Sequence, residues 1–150
     1  MKNLKKILSY AMMIIMGVFL FLGVNLKIVL ADEELEFKTN NGIIFYEIDD
    51  NNKVTITQYS GEDTKLEIPS EIDEKSVTTI GKHVFSDCDS LTSINVEKNN
   101  KYFSSQDGIL FNKDKSKLLC YPCGKKEELY IIPDSVINIE SDAFRKCLWY

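Results

Sequence analysis

The sequence predicts a mainly β protein: a solenoid of short strands and loops, preceded by a β-hairpin and led by an N-terminal signal helix. Three observations carry the prediction. A charge-free apolar run lies near the N-terminus, the remainder consists of short β-rich runs broken by turn residues, and two of those stretches match one another at a spacing of 59 residues.

Met1 to Lys6 carries Lys2, Lys5 and Lys6, Ile7 to Val24 is apolar without a charge, and Val29-Leu30-Ala31 supplies compact residues for a signal peptidase. This pattern predicts a signal peptide over residues 1–31 with cleavage after Ala31. The rival reading is an uncleaved anchor, because roughly 17 to 25 apolar residues can cross a bilayer. Membrane contact is then expected only through the signal segment, if uncleaved, and the rest of the chain is expected to be secreted or held at the cell surface. No lipidated-cysteine box or wall-sorting motif is present to hold it there.

Removing residues 1–31 takes away four lysines and no acids, which moves the net charge from -5 to -9 over the remaining 119 residues. Nucleic acid is therefore not an expected partner. A polyanion is bound by several Lys or Arg side chains on one face, and the basic clusters at Lys113 to Lys117 and Lys125-Lys126 sit beside Asp114 and Glu127-Glu128.

Past the acidic stretch Asp32 to Glu36, no window of ten or more residues has a helical period. Ile43 to Ile48 and Val54 to Tyr59 read as strands joined across Asp49-Asp50-Asn51-Asn52, so residues 32–65 are assigned to an N-terminal β-hairpin or capping region. Further strands are expected at Leu66 to Ile68, Val77 to Ile80, Leu91 to Val96, Ile109 to Phe111, Lys117 to Tyr121, Tyr130 to Ile132 and Val136 to Ile139. Each is too short to stand alone.

Internal repetition organises them. Ile68-Pro69, Val77-Thr78-Thr79-Ile80, Val84-Phe85 and Cys88 return as Ile132-Pro133, Val136-Ile137-Asn138-Ile139, Ala143-Phe144 and Cys147. The prolines are 64 apart and the later positions 59, so the first copy carries five extra residues at Glu71 to Lys75. The expected repeat core is Ile68, Val77, Ile80, Phe85, Cys88, Leu91, Ile94, Ile132, Val136, Ile139, Ala143, Phe144 and Cys147. Such a unit cannot bury its apolar face alone and is stabilised by stacking on neighbours.

These blocks, together with Leu91-Thr92-Ser93-Ile94, resemble the BspA-type (Treponema pallidum-like) leucine-rich-repeat surface proteins. Residues 66–150 are identified with such repeats, and Asn99 to Gly124 is similar to the interrupting unit these proteins place between them. Val84 stands where the family has alanine, and Glu140 where it has glycine. The resemblance implies an extracellular protein as partner and a role in adhesion, with no catalytic, cofactor or metal site. Tyr102 and Phe103 of the interrupting unit are the expected contact residues. The competing reading is a nonfunctional or structural fragment of a longer surface protein, since Cys147-Leu148-Trp149-Tyr150 stops within a repeat.

Other chemistry is disfavoured by the residues themselves. Cys120-Tyr121-Pro122-Cys123 has the CxxC form of a thiol-disulfide oxidoreductase but lacks a following helix and a βαβ setting, and reads instead as a tight disulfide or two core thiols. A zinc site using all four cysteines is disfavoured because Cys88 and Cys147 occupy equivalent positions in different coils. His83, Ser86 and Asp87 crowd one turn rather than converging on a pocket. Asn112-x-Asp114-x-Ser116 opens like a calcium loop, but Lys117 and Cys123 stand where glycine and glutamate are required.

Overall fold

The structure, a computed structural model, describes residues 34–127, 129–145 and 147. The signal helix and the Ala31 cleavage point lie outside these residues. Among the described residues there are eleven short strands and no helix, in line with the mainly β expectation.

Strands β1 (Leu35–Lys38), β2 (Gly42–Ile48) and β3 (Val54–Gly61) form an antiparallel meander. Ile44, Tyr46, Val54, Ile56 and Tyr59 point into the core. Tyr59 falls out of step with Val54 and Ile56 because a bulge sets Tyr46 against Ile56 but Phe45 against Gln58, leaving Thr57 as the extra residue. The β2–β3 loop closes as an Asx turn, in which the Asn51 and Lys53 amides donate to Asp49 Oδ1 at 2.9 and 2.8 Å. β1 falls partly in the stretch read from sequence as merely acidic. Its ladder to β2, with Leu35 opposite Tyr46, supplies the order that its own composition does not.

In the first repeat, β4 (Lys65–Ile68) runs parallel to β7 (Ser93–Val96), residue for residue from Lys65–Ser93 to Ile68–Val96. The five extra residues are not an irregular loop. They make a tight hairpin of β5 (Glu71–Ile72) with β6 (Lys75–Ile80), turned by Asp73 and Glu74 at φ of 49° and 62°. β6 in turn lies parallel to β3. Ile68, Val77, Leu91 and Ile94 are fully buried and Cys88 is buried, while Ile80 and Phe85 are partly so.

The interrupting unit contains β8 (Phe103–Gln106), β9 (Ile109–Asn112) and β10 (Lys117–Cys120), and the second repeat contributes β11 (Asn138–Ile139). β8 and β9 are joined by Asp107-Gly108, both at positive φ. A side chain at Gly108 would collide with Ser93, its Cβ lying 2.5 Å from Ser93 Oγ. The Asn112 to Ser116 segment is the β9–β10 turn, with Asp114 Oδ1 accepting from the Ser116 amide and hydroxyl at 3.0 and 2.6 Å.

The order β8-β9-β10-β11 repeats β1-β2-β3-β6, strand direction included. The Gly81 amide bonds Ile56 O at 2.8 Å as the Glu140 amide bonds Leu118 O at 2.9 Å, and Tyr59 N bonds Val84 O as Tyr121 N bonds Ala143 O. The chain is thus a hairpin plus repeat, twice over. Two cores follow. The first is largely aliphatic and includes Leu110; the second contains Ile109, Phe111, Leu118, Tyr121 and Ala143, with Tyr130, Val136, Phe144 and Cys147 packed against it. Neighbours on β9 therefore face opposite cores, as alternate residues of a strand must.

One buried polar residue joins the interrupting unit to the first repeat. Asn100, 1% exposed, donates from Nδ2 to Pro69 O at 3.1 Å and accepts at Oδ1 from the Tyr102 and Phe103 amides, both at 2.9 Å. Its carbonyl also receives Lys113 Nζ. Every strong hydrogen-bonding group in this connection has a partner, as burial requires.

Candidate protein-binding face

Two parts of the molecule have the geometry for recognition: an aliphatic face on the second repeat and a cleft between the turns of the two repeats. The face follows from the alternation of a strand. In β4, Leu66 and Ile68 point inward while Lys65 and Glu67 point to solvent. The matching residues in the second repeat are Leu129, Tyr130, Ile131 and Ile132. Tyr130 turns inward, its ring centroid 5.3 Å from that of Tyr121. Leu129 and Ile131 occupy the outward positions, where they are 75% and 78% exposed. Ile137, matching Thr78, is 87% exposed. Three outward positions that are charged or hydroxylated in the first repeat are therefore branched aliphatics in the second.

Two expected core residues join them. Ile132 and Ile139 are 37% and 43% exposed, against complete burial of Ile68 and partial burial of Ile80 at the matching positions. The placement of Ile132 and Ile139 in the repeat core is corrected on this point. In the first repeat the interrupting unit lies over the end of the coil, while no described element lies over the second. Nor is Tyr130 to Ile132 the expected strand: among the described residues, no backbone hydrogen bond engages Leu129, Tyr130, Ile131 or Ile132. β4, with the same pattern, has β7 as its ladder partner.

The two expected contact residues part company. Tyr102 is 41% exposed beside a shallow polar recess lined by Ser70, Glu71 and Lys101. Phe103 is 7% exposed and belongs to the first core, so it is corrected from a partner contact to a core residue. Alternation along β8 turns it inward once Asn100 has fixed its amide.

The cleft, of about 240 Å³, is floored by Val84, Cys88, Leu110, Leu119, Cys120 and Ala143. It lies between the turns of the two repeats, with Ile80 to Ser86 on one side and Glu140, Asp142 and Arg145 on the other. At its mouth Arg145 Nη1 lies 3.2 Å from His83 Nδ1 and 3.3 Å from Asp142 Oδ1. The His83 side chain thus meets Arg145 and Asp142 across the repeats, while its carbonyl accepts from the Ser86 amide at 2.9 Å.

The cysteines resolve differently from the sequence expectation. Cys123 is bonded to Cys147, with Cα atoms 4.5 Å apart, and not to Cys120. Cys147 is therefore not a free core thiol like its counterpart Cys88. Burial, with the nearby Cys88, pushes the Cys120 thiol up to about 12. Burial also lifts Cys88 to about 11, aided by Asp87, Asp89 and Glu62. Neither thiol resembles the depressed, exposed thiolate that thiol exchange requires.

The aliphatic face was readable in outline from the repeat alignment, by setting Leu129 against Lys65 and Ile131 against Glu67. The cleft had no local signature. Its walls come from residues 80–86, 88, 91, 110, 119–123, 140, 142, 143 and 145, which only the packing of the two repeats brings together.

Residues 54–112 match the family described as BspA type leucine rich repeat region (6 copies). The pneumococcal vaccine antigen PcpA is 33% identical over 63% of this chain and 23% of its own, with a TM-score of 0.52. A leucine-rich repeat protein from Eubacterium ventriosum is 31% identical over 54% of this chain and 20% of its own, with a TM-score of 0.48. The chain thus spans about a fifth to a quarter of these two proteins. No curated protein matches it. With its paired repeats, its interrupting unit and this match in hand, residues 54–112 of the chain are a leucine-rich repeat region of the BspA type.

Proposed function

We propose that this chain is an exported binding module, secreted or held at the cell surface, which engages an extracellular protein and has no catalytic role. The observation that carries the reading is the exposure of the aliphatics Leu129, Ile131 and Ile137, at positions where the first repeat has Lys65, Glu67 and Thr78. One exposed aliphatic is ordinary, but three on one repeat, at positions polar in its sister, point to a role in contact. The apolar leader supports export, and the repeat family supports protein interaction. The raised pKa values of Cys88 and Cys120 and the engagement of Cys123 by Cys147 weigh against the oxidoreductase alternative.

The test restores the first repeat's residues to the second. The variant Leu129→Lys/Ile131→Glu/Ile137→Thr is expected to lose at least about tenfold in capture by a panel of immobilised extracellular matrix proteins, equivalent to about 1.4 kcal/mol. Undiminished capture would remove this face from the reading. Mass spectrometry of the secreted chain is expected to give Asp32 as its first residue.

A further inference from the structure

We propose that the cleft between the two repeat turns is a binding site for a small amphipathic carboxylate, which lays its apolar body on the cleft floor and its carboxylate at the mouth beside Lys82 and Arg145. The site is separate from the aliphatic face: none of Leu129, Ile131 and Ile137 lines it. Floor, size and charge at the mouth together set the ligand class.

The floor calls for an apolar body. Leu91 and Leu110 are closed off from water, at 1% and 0% exposure, but Ile80, Phe85 and Leu119 are only partly buried and line the cleft. The surface they leave uncovered is concave, so a ligand is contacted on several sides at once. Both walls are set before any ligand arrives. On one side the Ser86 amide closes on His83 O at 2.9 Å and the Leu91 amide on Cys88 O at 3.0 Å. On the other the Ala143 amide closes on Glu140 O at 3.0 Å and the Arg145 amide on Asp142 O at 3.1 Å. The Cys123–Cys147 bond ties this second wall to the end of the interrupting unit. A pocket held in this way gives up little freedom on binding.

Size narrows the choice. At about 240 Å³ the cleft falls just below the roughly 300 Å³ at which pockets for drug-sized ligands begin. It suits a single short chain or ring.

Charge at the mouth selects the head group. Glu140 is paired with Lys117, which lies outside the cleft. Asp142 accepts from Arg145 Nη1 and from the Ser141 hydroxyl, both at 3.3 Å, and lies 3.6 Å from His83 Nδ1. Both carboxylates thus have cationic partners. Lys82, by contrast, has no hydrogen-bond or ion-pair partner among the described residues, and Arg145 engages His83 and Asp142 through Nη1 alone, which leaves Nε and Nη2 to donate. Asp87 and Asp89, which flank Cys88, do not line the cleft. In a chain of net charge -5 the mouth therefore carries a surplus of cation. A guanidinium fork and an ammonium at one mouth recognise a carboxylate. A doubly charged phosphate would meet Glu140 and Asp142 on the same wall, so a single negative charge fits better.

The test is calorimetric titration of sodium octanoate into the chain secreted by a host carrying the whole sequence, collected as that host processes it. One site with a dissociation constant of about 0.1 to 1 mM is expected, the range open to a ligand of roughly ten non-hydrogen atoms. Octanol, which keeps the body and loses the charge, is expected to bind at least about fivefold more weakly, and Arg145→Gln and Lys82→Gln each to weaken octanoate by about three- to tenfold. Both side chains are exposed, so thermal melts of the variants are expected to match the parent. Methyl resonances of Ile80 and Leu119 are expected to shift during titration while those of Leu129 and Ile131 stay in place, a readout that needs no variant. N-acetyl-leucine carries the same chemistry at the scale of a peptide end: binding tighter than octanoate assigns the source to a peptide terminus, weaker binding to a fatty acid. Neither heat nor methyl shifts with either carboxylate up to about 10 mM overturns the site. Octanol binding as well as octanoate, or octanoate binding unchanged in both variants, overturns the head-group assignment, and octyl phosphate binding tighter than octanoate overturns the single charge. Shifts confined to Leu129 and Ile131 overturn the cleft and move the contact to the aliphatic face.

Discussion

The first repeat buries Ile68 completely, whereas the second leaves Ile132, at the same place in the same motif, 37% exposed. One pattern of residues has two outcomes because burial in a stacked fold belongs to the neighbour as much as to the residue. The first repeat lies between β1–β3 and the interrupting unit. The second has the interrupting unit on one side and relies on an aromatic cluster, with Tyr121 centred 5.3 Å from both Tyr130 and Phe144, and on the Cys123–Cys147 bond. The second repeat thus carries a disulfide at the position where the first has a buried thiol.

The sharpest way to break this comparison is to truncate both isoleucines. Ile68→Ala is expected to cost about 2 to 5 kcal/mol in urea unfolding, while Ile132→Ala costs less than about 1 kcal/mol, because only the former leaves a cavity. Equal losses would mean that the second coil is covered in solution. Next comes the disulfide. Cys147→Ser is expected to destabilise by about 2 to 4 kcal/mol, and Cys88→Ser at the matching position by less, in thermal melts under identical buffer. Native Cys88 and Cys120 are expected to resist alkylation at neutral pH and to react faster as pH rises toward 11, the direction set by their raised values. Asn100→Ala should cost about 1 to 3 kcal/mol, since it orphans the Tyr102 and Phe103 amides and Pro69 O, and loosens the interrupting unit from the first repeat only. At the small end, Leu129→Lys/Ile131→Glu is expected to shift the stability of a single chain by no more than about 0.5 kcal/mol. A larger loss would show that these side chains are covered.

The β class and the first repeat's core are legible because Ile68, Val77, Phe85 and Cys88 return as Ile132, Val136, Phe144 and Cys147, in blocks too short to bury their apolar side without stacking. The unit of repetition is less so. Sequence alignment finds the Ile-Pro and Phe-Cys blocks but passes over the hairpins, because β2 and β9 correspond through strand pairing, Tyr46 to Ile56 and Phe111 to Leu118 with the same bulge in each, and the second turn is three residues shorter than the first. β8 is hidden because Phe103-Ser104-Ser105-Gln106 has a single apolar residue and gains its conformation from β9. The Asp107-Gly108 turn was the readable signal for it. Phe103 misleads for the related reason that an aromatic in a polar run looks like surface until its strand's parity is known. Of the candidate site, the aliphatic positions follow from alignment, while their exposure depends on which elements lie over them, which no local pattern encodes.

β9 has one consequence for how the molecule comes apart. A single strand is the party wall of both cores, with Leu110 plastered to one side and Ile109 and Phe111 to the other. Neither half can melt without stripping the lining from its neighbour, so heat should release the two as one cooperative event rather than coil by coil. An array commonly described as beads on a string is, at this length, a semi-detached house.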